Sequence, residues 1–260
     1  MKAAIAQHYP ADSVLHRLDP RAKVVAVAVL AVALFTRDSF IALAVYAVAA
    51  AAGLALSRVP LAWFWRSLKP VIWLVAIAFL AQVLFAPGPA FAELGPFHVS
   101  WRGLEQAAYL SLRLVVLVLT GSLLTLTTSP VALTDGLAWL ARPLRTLHVP
   151  TEELALMVTI ALRFIPTLLV ELESIMRAQR ARGADFTHGG PLRRARALVP
   201  VLIPLFIVSF RRADELALAM EARCYVPGVR RTHLHPLHAG WADATVLVVV
   251  AGAVLVASLV

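Results

Sequence analysis

Two short stretches set an arginine in the same surroundings. "MRAQRARGADF", residues 176–186, places Arg182 directly after Ala181 and four positions after Ala178. "LAMEARCYVPG", residues 218–228, places Arg223 in the same relation to Ala222 and Ala219. Alanines three apart share a helix face and leave it flat, so another backbone can approach closely. The arginine beside them offers a planar fork of donors that suits a carboxylate. The chemistry this supports is docking, not bond making. A plainer reading also applies, because arginines in a last helical turn complement the negative end of the dipole and arginine-rich loops anchor membrane topology. It accounts for the charge but not for the repeated alanines.

Other chemistry is sparse. No G-x-x-x-x-G-K-[ST] phosphate loop is present, nor an H-E-x-x-H or G-x-S-x-G pattern, which argues against nucleotide binding by that loop and against protease or lipase activity. "HLHPLH" brings His233, His235 and His238 close together. Pro236 interrupts the spacing and no acidic or cysteine ligand adjoins it, so a solvated loop is favoured over a metal site. A single cysteine, Cys224, excludes an intramolecular disulfide framework. The chain is therefore expected to have no catalytic site and to bind no cofactor or metal itself.

The elements that must carry these arginines belong to a membrane protein. Mean hydropathy is +0.80 and only 15% of residues are charged. Five apolar stretches read as transmembrane helices, at 23–35 with its apolar flank, 40–56, 70–86, 104–128 and 242–260. The first twenty residues contain Asp12, His16, Arg17 and Asp19 where a cleavable signal would be apolar. Lys2, Arg17, Arg21 and Lys23 precede the first span and Arg58, Arg66 and Lys69 follow the second, whereas the intervening loops carry only Arg37 and Arg102. This pattern predicts an inward N-terminus and an outward C-terminus. Residues 129–241, with fourteen arginines and no lysine, then fall on the cytoplasmic side. The net charge of +9 and the pI near 10.7 are explained by topology. A nucleic-acid partner is not expected, because no basic face is interleaved with aromatics.

The expected organisation is an all-α integral membrane protein. A four-helix region, 1–128, precedes a coupling region, 129–241, and a last transmembrane helix, 242–260. Arg113 within the fourth span reads either as part of a substrate or proton pathway or as an arginine facing other helices. With no second charge inside the spans, the latter is favoured. In the coupling region, Ser129 and Pro130 start one helix. A second starts with Thr151 as its cap and Glu152 and Glu153 in the first turn. Its seam runs through Leu154, Val158, Ala161, Ile165, Leu168, Leu172 and Ile175 in steps of four and three. Pro166 should bend this helix without ending the stripe. Gly189 and Gly190 break the chain, and Pro191 opens a third helix. Its fourteen uncharged residues, 197–210, are too few to span. They are expected to lie at the membrane surface, packed on the seam.

The segments "SVLHRLDPRAK", "LALMVTIALRFIPTLLVELESIMRAQRARGADF" and "LVPVLIPLFIVSFRRADELALAMEARCY" resemble the transmembrane (T) component family, EcfT, of energy-coupling factor transporters, a branch of the ABC superfamily. The resemblance covers nearly the whole chain and favours the group in which one energizing module serves several substrate-binding proteins. It implies that each of two Ala-Arg-Gly motifs, here Ala181-Arg182-Gly183 and Ala222-Arg223-Cys224, docks in a groove of one ATPase subunit. The partners implied are two ABC ATPases of the EcfA type, an S component binding a vitamin or metal ion, and the lipid bilayer, with ATP and Mg held by the ATPases. The helices' apolar faces, Leu154, Val158, Ile165, Leu168, Leu172, Leu198, Leu202, Leu205 and Phe206, would hold the S component. Cys224 departs from the motif, and a role that needs glycine's positive φ is disfavoured there. A membrane scaffold whose basic face binds anionic lipid or a non-ATPase partner is the alternative from a different class.

Overall fold

The computed structural model describes residues 9, 11–85, 90–94, 97–147, 149–186, 190–228 and 240–259. The chain divides into two compact units, one formed by Met1–Leu140 with His235–Val260 and the other by Ala141–Leu234.

The first unit is a helix bundle. A single turn, α1 (Val14–Arg17), is capped by Ser13, and α2 (Pro20–Ala33) starts with Asp19 accepting from the Arg21 amide at 2.8 Å and proline in its first turn. It continues through α3 (Phe40–Ser57) and α4 (Leu61–Phe85). A two-stranded antiparallel hairpin, β1 (Ala90–Leu94) and β2 (Phe97–Ser100), leads into α5 (Trp101–Thr127). Within the connection before the fourth span, residues 90–94 and 97–100 are thus paired strands, while helices dominate the other described residues. The unit is completed by α6 (Pro130–Leu140) and α9 (Trp241–Leu259).

Small residues set the spacing of this bundle. Ala26, Ala33, Ala42, Ala50 and Ala257 are buried with Leu30, Leu34, Leu43, Tyr46, Val116 and Val250 between α2, α3, α5 and α9. Between helices in lipid, close van der Waals packing takes the place of water exclusion, and small side chains allow it. A Cβ on Gly53 would meet Leu123 Cδ2 at 2.8 Å, so a side chain there would force Leu123 to shift between α3 and α5. A second cluster, Val59, Phe64 and Leu126, joins the start of α4 to the end of α5.

The second unit consists of a 3-10 turn (Arg142–Leu147), α7 (Thr151–Ala181) and α8 (Pro191–Glu221). Gly190 and Pro191 start α8 as expected, and the helix runs unbroken through Pro200 and Pro204. Thr151 does not cap α7. It occupies the first helical position after Pro150, and its hydroxyl is buried without a partner. Ser129 does cap α6, accepting from the Ala132 amide at 3.3 Å.

Among the described residues, five helices are long and apolar enough to cross a membrane, but one expected member is replaced. They are α3, α4, α5, α7 and α9. The first expected span corresponds to α2, whose 14 residues give a rise of about 21 Å against a hydrocarbon core of about 30 Å. By length and composition α7 qualifies in its place, with 31 residues and a mean hydropathy of 1.9 over its best window.

Candidate functional site

The two arginine motifs are the same backbone structure built twice. At the end of α7, the Gly183 amide donates to the Arg180 carbonyl at 2.9 Å and the Ala184 amide to the Gln179 carbonyl at 3.0 Å. At the end of α8, the Cys224 amide donates to Glu221 at 2.9 Å and the Tyr225 amide to Met220 at 3.0 Å. These nested bonds define the Schellman closure of a helix, with its left-handed residue just past the cap. Gly183 has φ +88° and Cys224 φ +58°. The expected restriction at Cys224 is therefore overridden. The cysteine takes the left-handed conformation at a cost of about 1–2 kcal/mol for an L-residue, and the second motif keeps the first one's backbone path.

This closure fixes where each arginine stands. Arg182 and Arg223 are the final residues before the left-handed turn, and both are exposed. The flanking alanines, Ala178 and Ala181 on α7 and Ala219 and Ala222 on α8, are exposed as well. Each helix therefore ends in a bare, flat patch beside a free-standing guanidinium. Among the described residues, neither arginine forms a salt bridge with an acid.

The two helices run in opposite senses. Gln179 Nε2 reaches the Pro200 carbonyl at 3.4 Å, and Arg212 pairs with Glu171 at 3.5 Å. Ile160 and Phe164 line a cavity of about 240 Å³ with Leu216 and Met220. The arginines consequently stand toward opposite ends of the pair, each 11 residues past the Glu171–Arg212 bridge, separated by roughly 33 Å along the helices at 1.5 Å per residue. Beyond Arg223, the Gly228 amide donates to Glu153 Oε1 at 2.8 Å, tying the chain after α8 back to the first turn of α7.

The expected seam is only partly the surface on which α8 lies. Leu168 faces the shared cavity with Ile160 and Phe164, and Leu172 and Leu205 are half-buried. Leu154, Val158 and Ile165 remain exposed, as do Leu198, Leu202 and Phe206 on α8. The contact stripe of Ile160, Phe164 and Leu168 shares only Leu168 with the seam, because a 31-residue helix carries apolar residues on more than one face. The unmatched residues form an open apolar surface on both helices.

In the first unit the structure reveals a polar node that residue patterns did not single out. Asp243, at the start of α9, accepts from the Asp19 amide at 2.7 Å and from the Gly240 amide at 2.7 Å. Lys23 donates from Nζ to the Thr127 carbonyl at 3.0 Å, holding the last turn of α5. Arg21 lies 4.8 Å from the centre of the Trp139 ring of α6, and Gly136 leaves room for Pro20, whose Cβ an added side chain would meet at 3.3 Å. Lys23, Asp19 and Asp243 are all buried. The "LDPRAK" run is thus the fastener of four helices. Its one sequence signal was Asp243, an isolated acid at the start of an apolar stretch.

Arg113 takes the structural role favoured for it. It is buried against Asp38, the Arg37 carbonyl and Tyr109, whose hydroxyl itself donates to the Arg37 carbonyl at 2.8 Å. Its partner comes from the loop between α2 and α3, not from another span. His233, His235 and His238 lie outside the described residues. Among the described residues, no cluster of histidine, cysteine and carboxylate side chains suits a metal ion.

Residues 11–234 match the CbiQ family, described as cobalt transport protein. The chain is 48% identical to the energy-coupling factor transporter transmembrane protein EcfT of Thermosediminibacter oceani, over 92% of this chain and 90% of the relative. It is 50% identical to that of Thermanaerovibrio acidaminovorans over 91% and 88% of the two chains, and 43% identical to that of Bacillus subtilis over 94% and 92%. Together with five apolar helices, these matches make it a multi-pass protein of the cell membrane. The chain belongs to the EcfT family, the transmembrane components of energy-coupling factor transporters.

Proposed function

We propose that α7 and α8 are the coupling helices through which ATPase motion reaches a substrate-binding S component. The observation that carries this reading is the duplicated helix end, in which the same hydrogen-bonded closure sets Arg182 and Arg223 beside exposed alanines. Each guanidinium is positioned to enter an acidic socket while the alanine face lies flat on the partner. Residues Ala181, Arg182 and Gly183 dock one ATPase subunit, and Ala222, Arg223 and Cys224 the other.

Catalysis belongs to the partners. ATP and Mg bind the ATPases, and this chain supplies only a mechanical link. Closure of the ATPases displaces the two arginines, and the α7–α8 pair moves as one body because Glu171–Arg212 and the apolar contacts beside it hold the helices together. The open surface that includes Leu154, Val158, Ile165, Leu198, Leu202 and Phe206, with Leu168, Leu172 and Leu205 at its margin, receives the S component, whose cargo is a vitamin or metal ion. Selectivity then resides in the S component.

The test is co-purification in mild detergent after changing Arg182→Glu and Arg223→Glu together. The double variant should insert in the membrane normally, lose both ATPases and lose ATP-driven uptake. Full retention of the ATPases by that variant would falsify the docking assignment.

A further inference from the structure

We propose that the groove between the first turns of α4 and the last turns of α5 is a binding site for an anionic phospholipid. The groove has a volume of about 500 Å³, and its lining includes Trp63, Arg66, Ser67, Val118, Ser122 and Thr125. This lining is unusual for its place. Both helices are long and apolar enough to span a membrane, and one guanidinium and three hydroxyls line the groove at the end that carries Arg58, Arg66 and Lys69.

The residues divide the work as a phospholipid requires. Arg66 is exposed, with its Cζ 5.7 Å from the centre of the Trp63 ring, so its donors stay available for a phosphate. Ser67 and Thr125 donate to carbonyls of their own helices, at 3.3 and 3.0 Å to Trp63 and Gly121. Each can exchange that bond for a phosphate or glycerol oxygen without leaving its rotamer family. A Cβ on Gly121 would meet nothing within 4 Å, so the groove floor is open. No acidic residue lines the groove to repel an anion.

The occupant is a lipid because the groove is continuous with a lipid-facing surface. Further along α4, Trp73, Ile77 and Leu80 are strongly exposed, giving acyl chains an apolar track that starts at the polar pocket. Arg58, Arg66 and Lys69 put this end on the cytoplasmic side by the distribution of positive charge, where the leaflet is rich in anionic headgroups. Basic pockets between membrane helices on that side bind such headgroups.

The full chain in nanodiscs tests this, with Trp63 as reporter. Emission is compared between wild type and Trp63→Phe while brominated phosphatidylglycerol or brominated phosphatidylcholine is introduced. The Trp63 component should be quenched with about a fivefold preference for phosphatidylglycerol. That preference should vanish in Arg66→Gln and in Ser122→Leu, which fills the groove without touching charge, and persist in Arg102→Gln. Equal quenching by the two lipids in wild type overturns the proposal, as does a preference that survives Arg66→Gln. Loss of the preference in Arg102→Gln as well would reveal general basicity, and its displacement by inorganic phosphate would reveal a phosphate site. Either result removes the lipid.

Discussion

In the first unit a charged cluster and an apolar core are buried, whereas in the second only Thr151 and Val201 are buried among the described residues. Lys23, Asp19 and Asp243 sit inside the bundle with hydrogen-bond partners on four helices. At the ends of α7 and α8 Arg182 and Arg223 are exposed, and side chains such as Met157, Phe206 and Phe210 are more than half exposed. The second unit is a pair of helices that leaves most of its apolar surface open. Burial of polar groups is an informative departure from an average protein, and here it is nearly confined to the first unit, whereas exposed apolar residues occur in both.

Disrupting the node should produce the largest effect. Asp243→Ala removes the acceptor for two amides and leaves buried Lys23 with one fewer counter-charge. Breaking a buried charge cluster on one side costs about 3–5 kcal/mol, so thermal unfolding of the purified chain in detergent should show a clearly lowered midpoint. An unchanged midpoint would mean that the fastening lies elsewhere. Next comes Gly53→Val, which forces a side chain into the α3–α5 approach and should cost about 1–3 kcal/mol by the same measurement.

Smaller effects belong to the second unit. Gly183→Ala should destabilise the end of α7 by about 1 kcal/mol, while Cys224→Gly should stabilise the end of α8 by a similar amount, because only glycine adopts a left-handed φ without strain. Hydrogen exchange of the Ala184 and Tyr225 amides, each of which closes its cap, would report both. Cys224→Gly should also leave ATPase retention intact, since the two closures already share one geometry. Smallest in stability is Phe206→Ser, expected to change unfolding by less than about 0.5 kcal/mol while reducing S-component capture in a pull-down. A large loss of stability there would place Phe206 in a core and erase the contrast between the units.

The elements of the second unit were largely legible in the sequence, and the reason is local. Gly190-Pro191, Pro166 and the repeated Ala-Arg pairs act within a few residues of themselves, so spacing alone locates the ends of α7 and α8. The cap at Thr151 was misplaced because Pro150 already supplies the first carbonyl, leaving the threonine one position too late. What joins distant segments could not be read. Asp19 meets Asp243 across nearly the whole chain, and Arg113 finds Asp38 in a loop rather than in a span. The left-handed φ of Cys224 was also hidden. Propensity argues against it, and only the surrounding hydrogen bonds make it the lower-energy choice. Similarly, the seam from Leu154 to Ile175 gave the period of α7 but not which of its apolar faces meets α8.

The antiparallel pair has one further consequence. The interval from Arg182 to Arg223 equals that from Glu171 to Arg212, so exchanging α7 and α8 carries Arg182 onto Arg223 and the Glu171–Arg212 bridge onto its own position. The pair therefore has an approximate two-fold axis through that bridge. Two partners related by their own two-fold axis would push on its ends in opposite directions, and opposed forces on a rigid body form a couple. Such a body turns about its centre without being displaced. For this chain, the stroke delivered by a closing pair of ATPases would be a rotation centred on Glu171 and Arg212.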